Sequence, residues 1–244
     1  MDAEVLKPYA KGIDNIPVGI NKVRMNPVTV PLQSEYIYLV SSESKTAAFE
    51  TAYEIGKVSG CLDDVYTEIW DIEKMVTSVE DMHATLVRDD FEEKIIETFN
   101  KIVERNNVYK DSNMDASALD RYQRIVIVIA GFSRLRELLS LDAKDKLNVF
   151  LERGTSQYKV HFIIADEYKV LYSCRADAWF TQNVNSANGI WIGDGFGNQY
   201  LFKPSKFSSE YNEEIGDKFG YVVKRGKTIL TKLATSAKED DENE

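Results

Sequence analysis

Hydrophobic positions along this chain switch repeatedly between short continuous runs and a helical period. Tyr36–Val40 (YIYLV) is a run of β-formers, followed at once by SSESKT and then by Ala47, Ala48, Phe49, Ala52, Tyr53 and Ile55, a pattern that stops near Gly60. This predicts a buried strand, a turn and a helix. Val65–Asp71 predicts a second strand. DDFEEKIIETFNKIVERNN predicts an amphipathic helix with Phe91, Ile95, Phe99 and Ile102 on one stripe and Asp89 and Asp90 at its start. The polar stretch NVYKDSNMDASALD is expected to be irregular. RIVIVIAGF (Arg124–Phe132) gives the strongest strand signal, because five consecutive β-branched residues mark a strand buried on both faces.

One helix is then expected over SRLRELLSLDAKDKLNVFLERG, capped at Gly154. A strand at KVHFIIADE, a short helix at ADAWFTQN, a strand at GIWIGDG and a hairpin at FGYVVKRGKTILTKL, turning at Arg225–Gly226, complete the pattern. Strands alternating with helices imply a mostly parallel central sheet flanked by helices, with a C-terminal antiparallel hairpin. Four of the five prolines, Pro8, Pro17, Pro27 and Pro31, fall in residues 1–35. That segment is expected to be extended, with short strands at VGINKV and NPVTVPL packing on the main domain at 36–234. The tail at 235–244 lacks core-forming residues and is expected to be disordered.

Composition narrows the function classes. The 244 residues are 43% hydrophobic and 29% charged, as in ordinary globular proteins. No window approaches about 18 consecutive apolar residues, so no transmembrane span is expected. The start, MDAEVLKPYAKG, carries no pattern of a secretory signal. Cys61 and Cys174 lack metal spacing and are expected to be reduced thiols. Net charge is −10, with five acids in the last six positions, leaving about −5 for the remainder. That sign disfavours a nucleic-acid backbone as partner. The basic cluster Lys224, Arg225 and Lys227 is expected to be a charged hairpin turn.

Candidate chemistry centres on SSESKT. A phosphate-binding loop, GxxxxGK[ST], uses glycines so that backbone N–H groups can wrap phosphate. Lys45 and Thr46 occupy its Lys-Thr positions, but its glycine positions hold Ser44 and Leu39. Because Leu39 still belongs to the strand, the loop can also be shortened. In such ATPases a second apolar strand ends in an Asp that organises Mg²⁺, usually followed by a Glu. RIVIVIAG puts Ala130 and Gly131 there instead. GDGFGN (Gly193–Asn198) follows a strand without an obvious helix and is expected to be a turn, with Asp194 available as a hydrogen-bond acceptor. His161 is expected to be a hydrogen-bonded core histidine. Trp70, Trp179, Trp191, Phe180 and Phe196 are expected in the core, with one or two exposed as anchors if they lie beside the loops.

Taken with the fold order, NIPVGINKVRMNPVTVPL, SSESKT, RIVIVIAGFSRL and GIWIGDGFGNQYLFK…NEEIGDKFGYVVKRGKTILTKL resemble the FtsK/SpoIIIE-type ATPase domains of type VII secretion coupling proteins, the EssC/EccC family. The resemblance spans about residues 10–234 and looks most like the last ATPase-like domain of the EssC branch. It implies a RecA-like P-loop NTPase fold. It also implies a domain at the cytoplasmic face of the cell membrane, within a membrane-anchored chain. Its implied partners are helical secreted substrates, neighbouring ATPase domains of the same chain, and further copies in a homo-oligomer such as a hexamer. Since both loop glycines and the metal-binding Asp are missing, the expected role is recruitment without catalysis and without a bound cofactor. Two alternatives stand beside it. In a divergent ATP-binding domain, Ser44, Lys45 and Thr46 would contact phosphate and Asp166 or Glu167 would replace the missing carboxylate. In a structural domain, the fold would serve assembly alone.

Overall fold

The computed structural model describes residues 1–76 and 83–235; beyond Thr235, the tail expected to be disordered lies outside the described residues. The strands are β1 (Ile16–Asn21), β2 (Pro27–Val30), β3 (Ile37–Ser42), β4 (Val65–Asp71), β5 (Ala84–Val87), β6 (Arg124–Ala130), β7 (Val160–Glu167), β8 (Gly189–Ile192), β9 (Phe219–Lys224) and β10 (Lys227–Leu233). They form one sheet in the order β2-β1-β10-β9-β8-β3-β7-β6-β4-β5. From β8 to β5 neighbouring strands are parallel, and from β8 back to β2 they are antiparallel. This is the expected RecA-like arrangement of a mostly parallel sheet with an antiparallel flank. The flank is wider than a C-terminal hairpin, because β1 pairs with β10 and carries β2 into the same sheet.

The helices are α1 (Ala3–Leu6), α2 (Lys45–Ser59), α3 (Phe91–Asp111), α4 (Phe132–Leu138), α5 (Leu141–Arg153), α6 (Tyr168–Ser173) and α7 (Ala178–Asn183). They cover both faces of the sheet. On one face, Val126, Val128, Ile163 and Ile190 pack with Ala48, Ala52 and Ile55 of α2. On the other, Ile125, Ile127, Phe162 and Ile164 pack with Ile95 of α3, Leu147 of α5 and Trp179 of α7. The β-branched run of β6 is therefore buried on both sides, as its composition predicts. Each such side chain contributes about 2 kcal/mol of transfer free energy.

Three helical expectations need correction. The polar stretch at Asn107–Asp111 continues α3 rather than forming a loop. The single helix expected from Ser133 to Arg153 is two, broken at Leu139–Ser140, where the Ser140 hydroxyl accepts the Ala143 N–H at 3.4 Å and caps α5. Gly154 does not close α5 with left-handed backbone, since its φ is −76°. It is required by close approach instead: a Cβ there would lie 1.9 Å from the Tyr36 hydroxyl, which donates to the Phe150 carbonyl at 2.6 Å. The β9–β10 turn does use left-handed backbone, with φ of 52° at Arg225 and 75° at Gly226.

His161 is buried in β7. Its Nδ1 donates to the Glu35 carbonyl at 2.8 Å, and its Nε2 lies 2.9 Å from Arg124 Nη1, which donates to it. Burial is the main reason its pKa falls from 6.5 to about 4, reinforced by Arg124 and Arg105. The fold therefore favours neutral His161. The stability this contributes is complete above pH 6.5 and is lost as pH falls towards 4, by about 3 kcal/mol at most. Urea midpoints measured across that window should fall less steeply in His161→Gln than in the parent. Gly154→Ala should cost about 2 kcal/mol in the same assay at neutral pH.

Candidate functional site

Ligands of open parallel sheets gather beyond the carboxyl ends of the strands. Here β7 lies between β3 and β6. That order brings SSESKT, Asp166–Glu167 and Ala130–Gly131 to one edge, with Asp71 at the end of β4 in register with Ala130.

The turn from β3 to α2 is short. The strand ends at Ser42 and the helix begins at Lys45, leaving Glu43 and Ser44 as the whole connection. No residue from 41 to 46 has a positive φ, so the alternating backbone that points successive N–H groups into a phosphate nest is not formed. Ser44 is extended (φ −101°, ψ 114°), and its N–H is held by the Ser42 hydroxyl at 3.0 Å. Ser44, Lys45 and Thr46 are exposed. The Lys45 ammonium lies 3.4 Å from Glu73 Oε1, with its side chain 56% exposed.

Asp166 is buried, and both of its oxygens are engaged. Oδ2 accepts the Ser133 N–H and the Ser133 hydroxyl, each at 2.9 Å, and Oδ1 accepts the Glu167 N–H at 2.8 Å. The Asp166 carbonyl also accepts the Ser41 hydroxyl at 3.2 Å. One residue thus ties β3, β7 and the first turn of α4 together. Glu167 is half-buried and makes no side-chain hydrogen bond among the described residues. These residues do not fit a Mg²⁺-bound triphosphate: a backbone cradle is missing, Ala130 and Gly131 carry no ligating side chain, and both Asp166 oxygens already accept hydrogen bonds within the protein. Among the described residues no group of three His, Cys, Asp or Glu side chains is arranged to hold a metal ion.

Asp71 was not legible as a site residue. It is fully buried; Oδ1 accepts the Tyr53 hydroxyl and the Met75 N–H, both at 2.8 Å, and Oδ2 accepts the Val76 N–H at 3.0 Å and Arg88 Nε at 3.3 Å. Burial and then the Asp71 charge push the Tyr53 hydroxyl pKa up, keeping it a donor. The partners lie 4, 5, 17 and 18 positions away in sequence, so spacing alone does not reveal the cluster.

No protein-family model and no curated protein matches the chain. Solved structures do. The cytoplasmic domain of EssC matches with a TM-score of 0.74 at 15% identity, over 96% of this chain and 47% of that one. EssC (ATPases 2 and 3) from Geobacillus thermodenitrificans gives 0.71 at 16%, over 92% and 42%. Thermomonospora curvata EccC (ATPases 2 and 3), in complex with a signal sequence peptide, gives 0.71 at 13%, over 98% and 43%. The chain has the fold of the EssC and EccC ATPase domains. It spans less than half the length of each of these three structures.

Within this EssC-type fold, GDGFGN is not a plain turn: a bend at Gly193–Asp194 leads into a short 3-10 helix, Phe196–Asn198, entered through left-handed backbone at Gly195 (φ 82°). Asp194 Oδ1 accepts the N–H groups of Ile215 and Gly216 at 2.6 and 3.1 Å, pinning a distant loop. Trp70, Trp179, Trp191, Phe180 and Phe196 are all buried, so none is an exposed anchor. The exposed aromatic side chains among the described residues include Tyr9, Tyr172, Tyr200 and Phe207, with the rings of Tyr172 and Tyr200 6.3 Å apart. Among the described residues no helix is long and apolar enough to cross a membrane.

A groove of 360 Å³ runs between α3 and α5 at the opposite, amino edge of the parallel strands. Phe99, Ile102, Val103, Val149, Phe150 and Tyr158 line it, and Lys110 and Arg153 stand at its margin. The Tyr158 hydroxyl donates to Asn106 Oδ1 at 2.7 Å, fixing one wall.

Two substitutions separate the roles at the carboxyl edge. Asp166→Asn replaces an acceptor that serves two Ser133 donors and should lower unfolding free energy by about 2 kcal/mol in urea denaturation. Lys45→Ala removes only an exposed ion pair and should change it by less than about 0.5 kcal/mol.

Proposed function

We propose that this chain is a non-catalytic ATPase-like domain of a type VII secretion coupling protein, serving to recruit export substrates. The observation that carries this reading is the two-residue β3–α2 connection without a positive φ, which offers phosphate no nest. ATP and Mg²⁺ are accordingly not its cofactors. Recruitment is supported by the α3–α5 groove, whose apolar walls suit the apolar stripe of an amphipathic helix. Its margin residues Lys110 and Arg153 favour a carboxylate on the bound segment. An EccC structure of the same fold holds a signal sequence peptide.

On this reading the domain works at the cytoplasmic face of the membrane, as one part of a membrane-anchored chain. It packs beside ATPase domains of that chain and, through them, within a homo-oligomer. Substrate occupancy would change the motor only if the groove differs between two packings of neighbouring domains.

Calorimetric titration with Mg-ATP should give no saturable heat for the parent or for Lys45→Ala. Saturable binding removed by Lys45→Ala would overturn the proposal in favour of a divergent nucleotide-binding domain. A synthetic helical export-signal peptide should bind the parent, with Val103→Asp weakening it at least tenfold. Unchanged peptide affinity in Val103→Asp would remove the groove from the account and favour a packing role.

A further inference from the structure

A second groove, of 650 Å³, opens at the carboxyl edge of the sheet, beside the first turn of α3 and the α4–α5 break. Ile72, Phe91, Leu138 and Leu139 give it an apolar lining. Of these, Leu138 is 48% exposed, and Leu141, the first residue after the Ser140 cap, is 79% exposed. Single exposed leucines are ordinary. Here Leu138 lines the groove itself and Leu141 follows three residues later, while Ile72, Phe91 and Leu139 form its largely buried floor, an exposed apolar edge of the kind that partners cover.

The charges around this groove have one predominant sign. Its cations are Lys74 and Arg88. Lys74 is 3.2 Å from Asp89 Oδ1, and Arg88 is held by the buried Asp71 carboxylate. Asp90, Glu92 and Glu93 have no cationic partner among the described residues; Glu92 Oε1 instead accepts the Ser140 N–H at 2.5 Å. On the facing helices, Glu137 and Asp142 are paired with Arg134 and Lys146. Acids in the first turn of α3 also complement the helix dipole, which accounts for Glu92 and Glu93 on their own. The dipole does not account for an open apolar lining beside them, nor for the leucines at the helix break.

We propose that this groove is a docking site for a basic amphipathic helix of a partner protein, with large apolar side chains seated on Leu138, Leu139 and Phe91 and flanking Lys or Arg residues facing Asp90 and Glu93. The site is separate from the α3–α5 groove: along α3, at about 1.5 Å per residue, the two lie some 15–20 Å apart. Their margins are opposite in charge, acidic here and basic there. That difference sorts two kinds of helix between them, because a like-charged margin penalises the wrong one.

The test uses two designed helical peptides, one built from Leu and Lys and one from Leu and Glu, titrated by fluorescence anisotropy into the whole chain at low and moderate salt. The Leu/Lys helix should bind and weaken as salt rises. Glu93→Lys and Leu138→Ser, both surface changes whose folding is checked by thermal melting, should each weaken it at least tenfold. Val103→Asp, in the other groove, should leave it unchanged, so this proposal and the export-signal reading fail separately. Equal binding of the Leu/Glu helix, or Leu/Lys binding unaffected by Glu93→Lys and Leu138→Ser, would overturn the proposal.

Discussion

Burial of β3, β7 and β6 on both faces constrains everything else in this protein. A strand covered on both sides can offer no side chain to solvent along its length, so polar chemistry is pushed to its ends. The parallel direction then gathers the carboxyl ends of these strands at one edge. Asp166 is the residue that holds this edge together. Its carboxylate fixes the first turn of α4 while its carbonyl takes the Ser41 hydroxyl of the neighbouring strand. The same contacts that make the edge rigid already engage both oxygens of the Asp166 carboxylate.

The two short connections at this edge follow from that rigidity. Between β3 and α2 only Glu43 and Ser44 intervene, and Ser44 is held back onto Ser42. Between β6 and α4, Gly131 alone makes the turn, with φ of 91°. A longer glycine-rich turn would pay conformational entropy without gain unless a phosphate filled it. Around β3, β7 and β6 the strand ends are closed and satisfied by their own hydrogen bonds.

Much of this was legible in the sequence where one physical signal dominated. Five β-branched residues in a row could only be a doubly buried strand, and Arg225–Gly226 could only be a tight turn. The absence of glycine from SSESKT already argued against a nest. What stayed hidden depended on competing signals. The apolar period runs unbroken through LRELLSL, so the Ser140 cap that splits α4 from α5 was masked by its surroundings. Helix α6 has six residues and one buried apolar side chain, Leu171, too little for periodicity to register. Asp71 looked like the polar end of a strand, and its cluster forms only after Tyr53 and Arg88 are brought in from two other elements.

The helix break that escaped the sequence also lies beside one of the two grooves along α3. The break at Leu139–Ser140 is tied to the first turn of α3 by Glu92, α5 meets α3 further along, near Phe99 and Val103, and a groove lies at each place. The charged residues lining the groove at the first turn of α3 are mainly acids, and the other groove carries Lys110 and Arg153. Electrostatics can then distinguish partners that apolar contact alone would treat alike. On the recruiting role proposed above, two surfaces of unlike charge meet the physical requirement for discriminating between partners.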